Sequence, residues 1–279
     1  MDNNTETKKK KKKSSKLLYV LMGISVAAVI TFGVLLGIEL YTNWKSQSYY
    51  SQLSSGVVTR PREPGYSRPS PPPSEDGADP GEANEPDEDG FVWEPYVDFE
   101  ELRERYPGIV GWIKLEGTAI DYPIMQGSDN YYYLGHLPDG AVHRSGSIFL
   151  DYRNSPDFLD KSMLIYGHES RTQDMFGALK NYRRQEFYEA NPVIYIYTPE
   201  RDYELVLIAG YLVDSGVEVP PLKFKDEDDF IKHIEGIKRR SFFTSSVEVD
   251  PDDRIVSLAT CAYDYTNARW IIVGKLVEF

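Results

Sequence analysis

Apolar and polar positions fall into three regimes along the chain. Residues 17–38 are apolar almost without interruption; a helix of about 22 residues is roughly 33 Å long and matches a hydrocarbon core of about 30 Å. From residue 54 to 90 the apolar positions nearly vanish. Pro61, Pro64, Pro69, Pro71, Pro72, Pro73, Pro80 and Pro86 punctuate a run of Gly, Ser, Asp and Glu. Such a segment buries too little to fold, and it predicts a disordered, partly polyproline-II linker that holds the remainder off the membrane, with a reach somewhat under ~100 Å. From Phe91 onward short apolar runs recur at regular intervals, which predicts a folded domain over 91–279.

Within that domain, residues 97–106 carry acidic positions early and Arg103 and Arg105 late, and Pro107-Gly108 stops them, the pattern of a short helix. Strand-like runs occupy 111–115, 120–125, 147–152, 162–166, 193–198 and 203–213. A further pair, 254–261 and 269–276, flanks a polar segment and predicts an antiparallel hairpin that folds Cys261 back towards Arg269. Met175, Phe176, Leu179 and Tyr182 recur at helical spacing between 173 and 189, and Phe230, Ile231, Ile234 and Ile237 between 226 and 240. Many short strands with few helices predict a mainly β α+β fold, a closed or nearly closed barrel.

Charge then changes the picture. The net charge is −13, yet residues 1–16 contribute +5 through seven lysines, leaving −18 on the rest. An acidic body repels phosphate backbones, which excludes nucleic-acid binding. Lysines 8–13 and Lys16 lie directly before the apolar run, so the positive-inside rule predicts a cytoplasmic basic tail over 1–16, a single transmembrane helix over 17–38, and an extracellular juxtamembrane segment and linker over 39–90. The run is longer than a signal-peptide core and no small-x-small site follows it, which favours an uncleaved anchor in the cell membrane.

Cys261 is the only cysteine, so an internal disulfide and a multi-cysteine metal site are excluded. A free thiol with a pKa of roughly 8.5 is mostly protonated at neutral pH, and a neighbouring cation or imidazole raises its reactive thiolate fraction. Arg269 supplies the cation. Of the four histidines, His233 is expected on a helix surface and His136 and His143 in a solvated loop. His168 follows the run Met163-Leu-Ile-Tyr-Gly167 and so ends a strand, as Cys261 does. If the two strands point the same way, both open on one rim, where imidazole can pair with the thiol and Arg269 can meet a developing oxyanion.

The combination of Tyr166-Gly-His168, Thr260-Cys261 and Arg269 resembles the sortases, membrane-anchored cysteine transpeptidases of Gram-positive bacteria. Val110-Gly-Trp-Ile, Ile120-Asp-Tyr-Pro, Asp129-Asn-Tyr-Tyr-Tyr-Leu134, Gly146-Ser-Ile-Phe-Leu-Asp-Tyr-Arg153 and Met175-Phe-Gly-Ala-Leu179 are similar to class B members in particular. The resemblance implies an eight-stranded sortase-type β-barrel with N-terminal helices and an inserted helix before the Cys strand. It also implies His168, Cys261 and Arg269 as catalytic residues, with Asn130, Leu134, Tyr166 and Thr260 lining the groove for the sorting signal. The chain departs from the class at Ala259, where Ser is frequent, and at Ala262, where an acidic residue can occur.

The implied reaction cleaves a Thr–Gly-like bond in the C-terminal sorting signal of a secreted surface protein through a thioacyl intermediate, then transfers that protein to a peptidoglycan amine. No metal or other cofactor is required, and the acidic run 226–229 reads as the solvated start of a helix. A pilin-polymerising sortase, a cell-wall cysteine peptidase and an anchored adhesion scaffold are the alternatives.

Overall fold

The computed structural model describes residues 3–54, 57–61, 93–169, 173–214, 218–261 and 268–279, with the backbone alone for 3–18, 57–61, 93–96 and 261. The chain divides into two compact units, Met1–Tyr49 and Tyr50–Phe279. Most of the expected linker, 62–90, and the polar segment after Cys261 lie outside the described residues.

The first unit is helical. Helix α1 (Asn3–Ser54) is continuous and outlasts the apolar run at its C-terminal end. Within its stretch Tyr19–Ser54 an 18-residue window reaches a mean hydropathy of 2.4, long and apolar enough to cross a membrane, a property that membrane anchors and signal sequences share. Thr31 in the apolar run donates its hydroxyl to the carbonyl of Ala27, 2.8 Å away, so the polar atom is satisfied inside the helix.

The second unit opens with Tyr50 and Leu53, both buried. Strand β1 (Val57–Pro61) then pairs antiparallel with β2 (Trp93–Val97), with Val57 opposite Val97 and Pro61 opposite Trp93. The start of the expected linker is thus a strand in register with Trp93–Val97. Helix α2 (Phe99–Arg105) follows, capped by Asp98, whose carboxylate accepts from the Glu101 amide at 3.0 Å.

The remaining strands are β3 (Ile109–Lys114), β4 (Asp121–Met125), β5 (Ile148–Leu150), β6 (Ser162–Gly167), β7 (Val193–Tyr197), β8 (Asp202–Asp214), β9 (Arg254–Cys261) and β10 (Ala268–Glu278). They close into an eight-stranded barrel in the order β10-β8-β7-β3-β4-β5-β6-β9. Each coincides with an expected run to within a few residues. Two neighbouring pairs, β4 with β5 and β6 with β9, are parallel, and the others are antiparallel. Parallel neighbours need a long crossover, and the one from β6 to β9 carries two strands, a 3-10 turn and two α-helices.

Two short α-helices lie in that crossover, α3 (Gln185–Ala190) and α4 (Glu227–Arg239). Helix α4 is the inserted helix expected before the Cys strand. Asp226 caps it by accepting from the Asp229 amide at 2.9 Å, and Glu227, Asp228 and Asp229 occupy its first turn, so the acidic run satisfies a helix start. Phe230, Ile234 and Ile237 bury one face against Tyr211 of β8, Ile255 of β9 and Ile271 of β10. Covered outside by α4 and inside by the barrel core, β9 is buried on both faces, hence its unbroken apolar composition.

The single helix expected over 173–189 is instead a 3-10 turn at Gly177–Arg183 followed by α3. Gln173 and Met175 have φ of 64° and 52°, and Arg184 is extended between the two turns, so no continuous α ladder forms. Met175, Phe176, Leu179 and Tyr182 are all buried as their spacing foretold. His233 is also reassigned. It is half-buried beside Phe224 rather than on the surface, and burial, reinforced by the Arg240 cation, lowers its pKa from the ordinary imidazole value.

Gly167, the last residue of β6, is packed from above. A methyl group there would meet Ile148 Cδ1 at 2.5 Å and the Phe176 ring at 2.6 Å, both fully buried. Gly167→Ala is therefore expected to lower the stability of the full chain by about 1–3 kcal/mol, read as an earlier urea midpoint. An unchanged midpoint would mean that the end of β6 is loosely packed.

Candidate active site

Register brings the three expected catalytic positions to one rim. In the parallel β6–β9 pair Gly167 lies opposite Thr260, so the next position along each strand is His168 on one and Cys261 on the other. In the antiparallel β9–β10 pair Cys261 lies directly opposite Arg269. Neighbouring strands are about 5 Å apart, so the three backbones cluster within roughly 10 Å. The Cys261 side chain lies outside the described residues. Arg269 is half-buried, between Ala268 and Trp270, which are buried.

His168 is anchored by its own ring. Its Nε2 is 2.8 Å from the backbone carbonyl oxygen of Leu134, in the 3-10 turn Tyr132–Leu134. A carbonyl can only accept, so the neutral imidazole carries its proton on Nε2 and keeps its lone pair on Nδ1. The His168 carbonyl in turn accepts from the Phe176 amide at 3.0 Å, which holds the strand end against the segment after it. Asp129 opens the turn that presents Leu134. Its carboxylate accepts from the amides of Tyr131 and Tyr132 at 2.7 and 2.9 Å, and those bonds lower its pKa.

The expected groove residues divide. Leu134 is partly exposed at the rim, whereas Thr260 is buried in β9. Asn130 and Tyr166 converge on a residue that the sequence reading passed over, Asp151, whose side chain is fully buried. One oxygen of that carboxylate accepts from Asn130 Nδ2 at 2.9 Å, from the Tyr166 hydroxyl at 3.2 Å and from Arg153 at 2.7 Å; the other accepts from Arg153 Nε at 2.8 Å and from the Arg153 amide at 3.0 Å. Asn130 is held at both ends, because its carbonyl oxygen accepts from the Tyr152 amide at 3.0 Å.

Electrostatics follow from this packing. Burial pushes the Asp151 carboxyl up, but the Arg153 fork and the amide donors outweigh it and hold the group below the usual carboxylate value. Tyr166 is shifted upward, first by burial and then by the Asp151 charge, against the cations of Arg153 and Arg269. It therefore remains a neutral phenol that donates to Asp151. Arg153 was legible only as part of a motif; an Asp at a strand end with Arg two residues on is the signal that could have exposed the pair. Among the described residues no group of three or more His, Cys, Asp or Glu side chains is arranged to hold a metal ion.

Asp151 generates a pH dependence. A carboxyl whose folded pKa is depressed contributes stability in full above its ordinary value of about 3.9 and loses it as pH falls through the lower folded value. Acid unfolding of the wild-type chain is expected to steepen below pH ~4, and Asp151→Asn should remove that component while costing on the order of 2 kcal/mol at neutral pH. Identical acid profiles for the two proteins would show that the network stores no charge-dependent stability.

Comparison with known proteins supplies the context for this rim. Residues 113–277 match the family model described as Sortase domain. Sortase B of Listeria monocytogenes is 32% identical over 247 residues, covering 88% of this chain and 94% of that protein. The structure of a Staphylococcus aureus sortase B–substrate complex superposes with a TM-score of 0.62 at 35% identity, covering 64% of this chain and 84% of that one. A B. anthracis sortase B structure gives a TM-score of 0.68 at 26% identity, covering 85% of this chain and 97% of that one.

Proposed function

The chain belongs to the sortase family, in its class B, and we propose that Cys261 is the nucleophile, His168 the acid–base group and Arg269 the oxyanion donor of its transpeptidation. The enzyme takes surface proteins bearing a C-terminal sorting signal and joins them to a peptidoglycan amine. The observation that carries the residue assignment is the double register of β9, parallel to β6 at Gly167↔Thr260 and antiparallel to β10 at Cys261↔Arg269.

In the first half-reaction Nδ1 of His168 takes the proton of the Cys261 thiol, and the resulting thiolate attacks the carbonyl carbon of a Thr–Gly-like bond. The electrons pushed onto oxygen are met by the Arg269 guanidinium, which is charged at every physiological pH. As the tetrahedral intermediate collapses, the C–N bond breaks, His168 gives its proton to the departing amine, and a thioester to Cys261 remains. In the second half an amine of the wall precursor loses a proton to His168 and attacks the thioester, forming the new amide and releasing the thiolate. Protons and electrons balance across the cycle without a cofactor. No observation favours the pilin-polymerising sortase or the cell-wall peptidase over this reading.

Asn130, Leu134, Tyr166 and Thr260 form the signal-binding side of the rim. Leu134 offers apolar surface, while Asn130 and Tyr166 act through the wall that Asp151 organises rather than as free donors. Residues 1–16 form a cytoplasmic tail, 17–38 span the membrane, 39–90 are extracellular and 91–279 carry the chemistry. What supports this topology is the lysine block beside an apolar helix.

Two experiments test these assignments. With a sorting-signal peptide and an amine acceptor, Cys261→Ala is expected to abolish product. His168→Ala should lower kcat by about 10²–10⁴ and Arg269→Ala by about 10²–10³, each with a folded circular-dichroism spectrum. A wild-type rate in any of the three removes that residue from the mechanism. Protease added to intact protoplasts should shave off the catalytic domain, and full protection would reverse the proposed orientation.

A further inference from the structure

Tyr50, in the last turns of α1, is far in sequence from the proposed catalytic group, yet it is buried at 5% exposure within the catalytic unit. Its hydroxyl donates to the Gly146 carbonyl at 2.7 Å, and its ring meets Tyr122 edge-on at 4.9 Å. Gly146 is the point through which this contact reaches the rim. It has φ of +52°, a conformation open to glycine, and its Cα presses on the backbone of the turn that holds His168. A methyl group there would collide with the Tyr133 carbonyl and stand 2.6 Å from the Leu134 carbonyl oxygen, the atom that takes the His168 Nε2 proton. The loop on either side of Gly146 is tied to the same turn, through the Ser147 amide to the Tyr133 carbonyl at 2.8 Å and the His143 amide to the Gly135 carbonyl at 2.9 Å.

We infer that Tyr50 and Gly146 are positioning residues for His168: by clamping the Leu134 carbonyl they fix the imidazole as its Nε2–H tautomer and leave Nδ1 as the proton-exchanging atom. The consequence is that the segment entering the barrel from the N-terminal helix sets the protonation geometry of the catalytic group. This rests on the proposed acid–base role of His168, but the tautomer itself is measurable without reference to turnover.

The test uses the full chain in detergent micelles with 15N-labelled histidine. The four histidines give few signals, and His168→Ala assigns the one of interest. In the wild type, above the imidazole titration, Nε2 is expected to give a pyrrole-type signal and Nδ1 a pyridine-type one. Tyr50→Phe keeps the ring on Tyr122 and removes the hydroxyl's bonds to the Gly146 carbonyl and the Ser147 side chain; it should mix the two tautomers and lower kcat about three- to tenfold with KM unchanged. Gly146→Ala should do both to a larger degree. A pyridine-type Nε2 in the wild type overturns the inference, as does a Tyr50→Phe protein with unaltered His168 signals and wild-type kcat. Where Gly146→Ala does not fold, Tyr50→Phe decides. An active His168→Ala enzyme would remove His168 from catalysis, and the wild-type tautomer would still decide whether the clamp exists.

Discussion

The parallel pairing of β6 with β9 is the constraint on which the chemistry rests. Antiparallel neighbours send their ends to opposite rims, so His168 and Cys261 could not meet if these two strands ran in opposite directions. Because both run the same way, the two residues emerge one step past the Gly167↔Thr260 pair. A parallel pair requires a long return, and the chain uses that return for β7, β8, α3 and α4. Helix α4 covers the outer face of β9, so the strand that carries Cys261 is buried on both sides. The hairpin to β10 then adds Arg269 at no further topological cost.

A second layer of organisation comes from side chains that bond to one another behind the rim. The Asp151 carboxylate is buried and would be costly there alone. It is retained because Arg153, Asn130 and Tyr166 saturate its oxygens, and in doing so they become rigid parts of the rim wall. The Arg153 side chain is half-exposed, so its charge is partly screened by solvent and the network is worth less than a fully buried ion pair of the same geometry. On the other side of the rim a single backbone carbonyl, that of Leu134, holds the imidazole. A main-chain acceptor cannot titrate, so it orients the ring without competing for its proton.

All eight barrel strands and the capped inserted helix were legible along the chain, because alternation, burial runs and caps are local properties that a window of ten residues carries. The helix expected over 173–189 failed for a local reason as well: its apolar spacing was right, but the positive φ at Gln173 and Met175 breaks the ladder, and spacing alone does not report φ. What only the tertiary structure decided is non-local. The parallel sense of β6 and β9, the burial of Asp151 beneath Asn130 and Tyr166, the carbonyl that accepts from His168 and the reach of Tyr50 to Gly146 all join segments separated by many residues. Each is selected by register and by the need to satisfy polar atoms once water is excluded, and neither condition leaves a periodic trace in the order of amino acids.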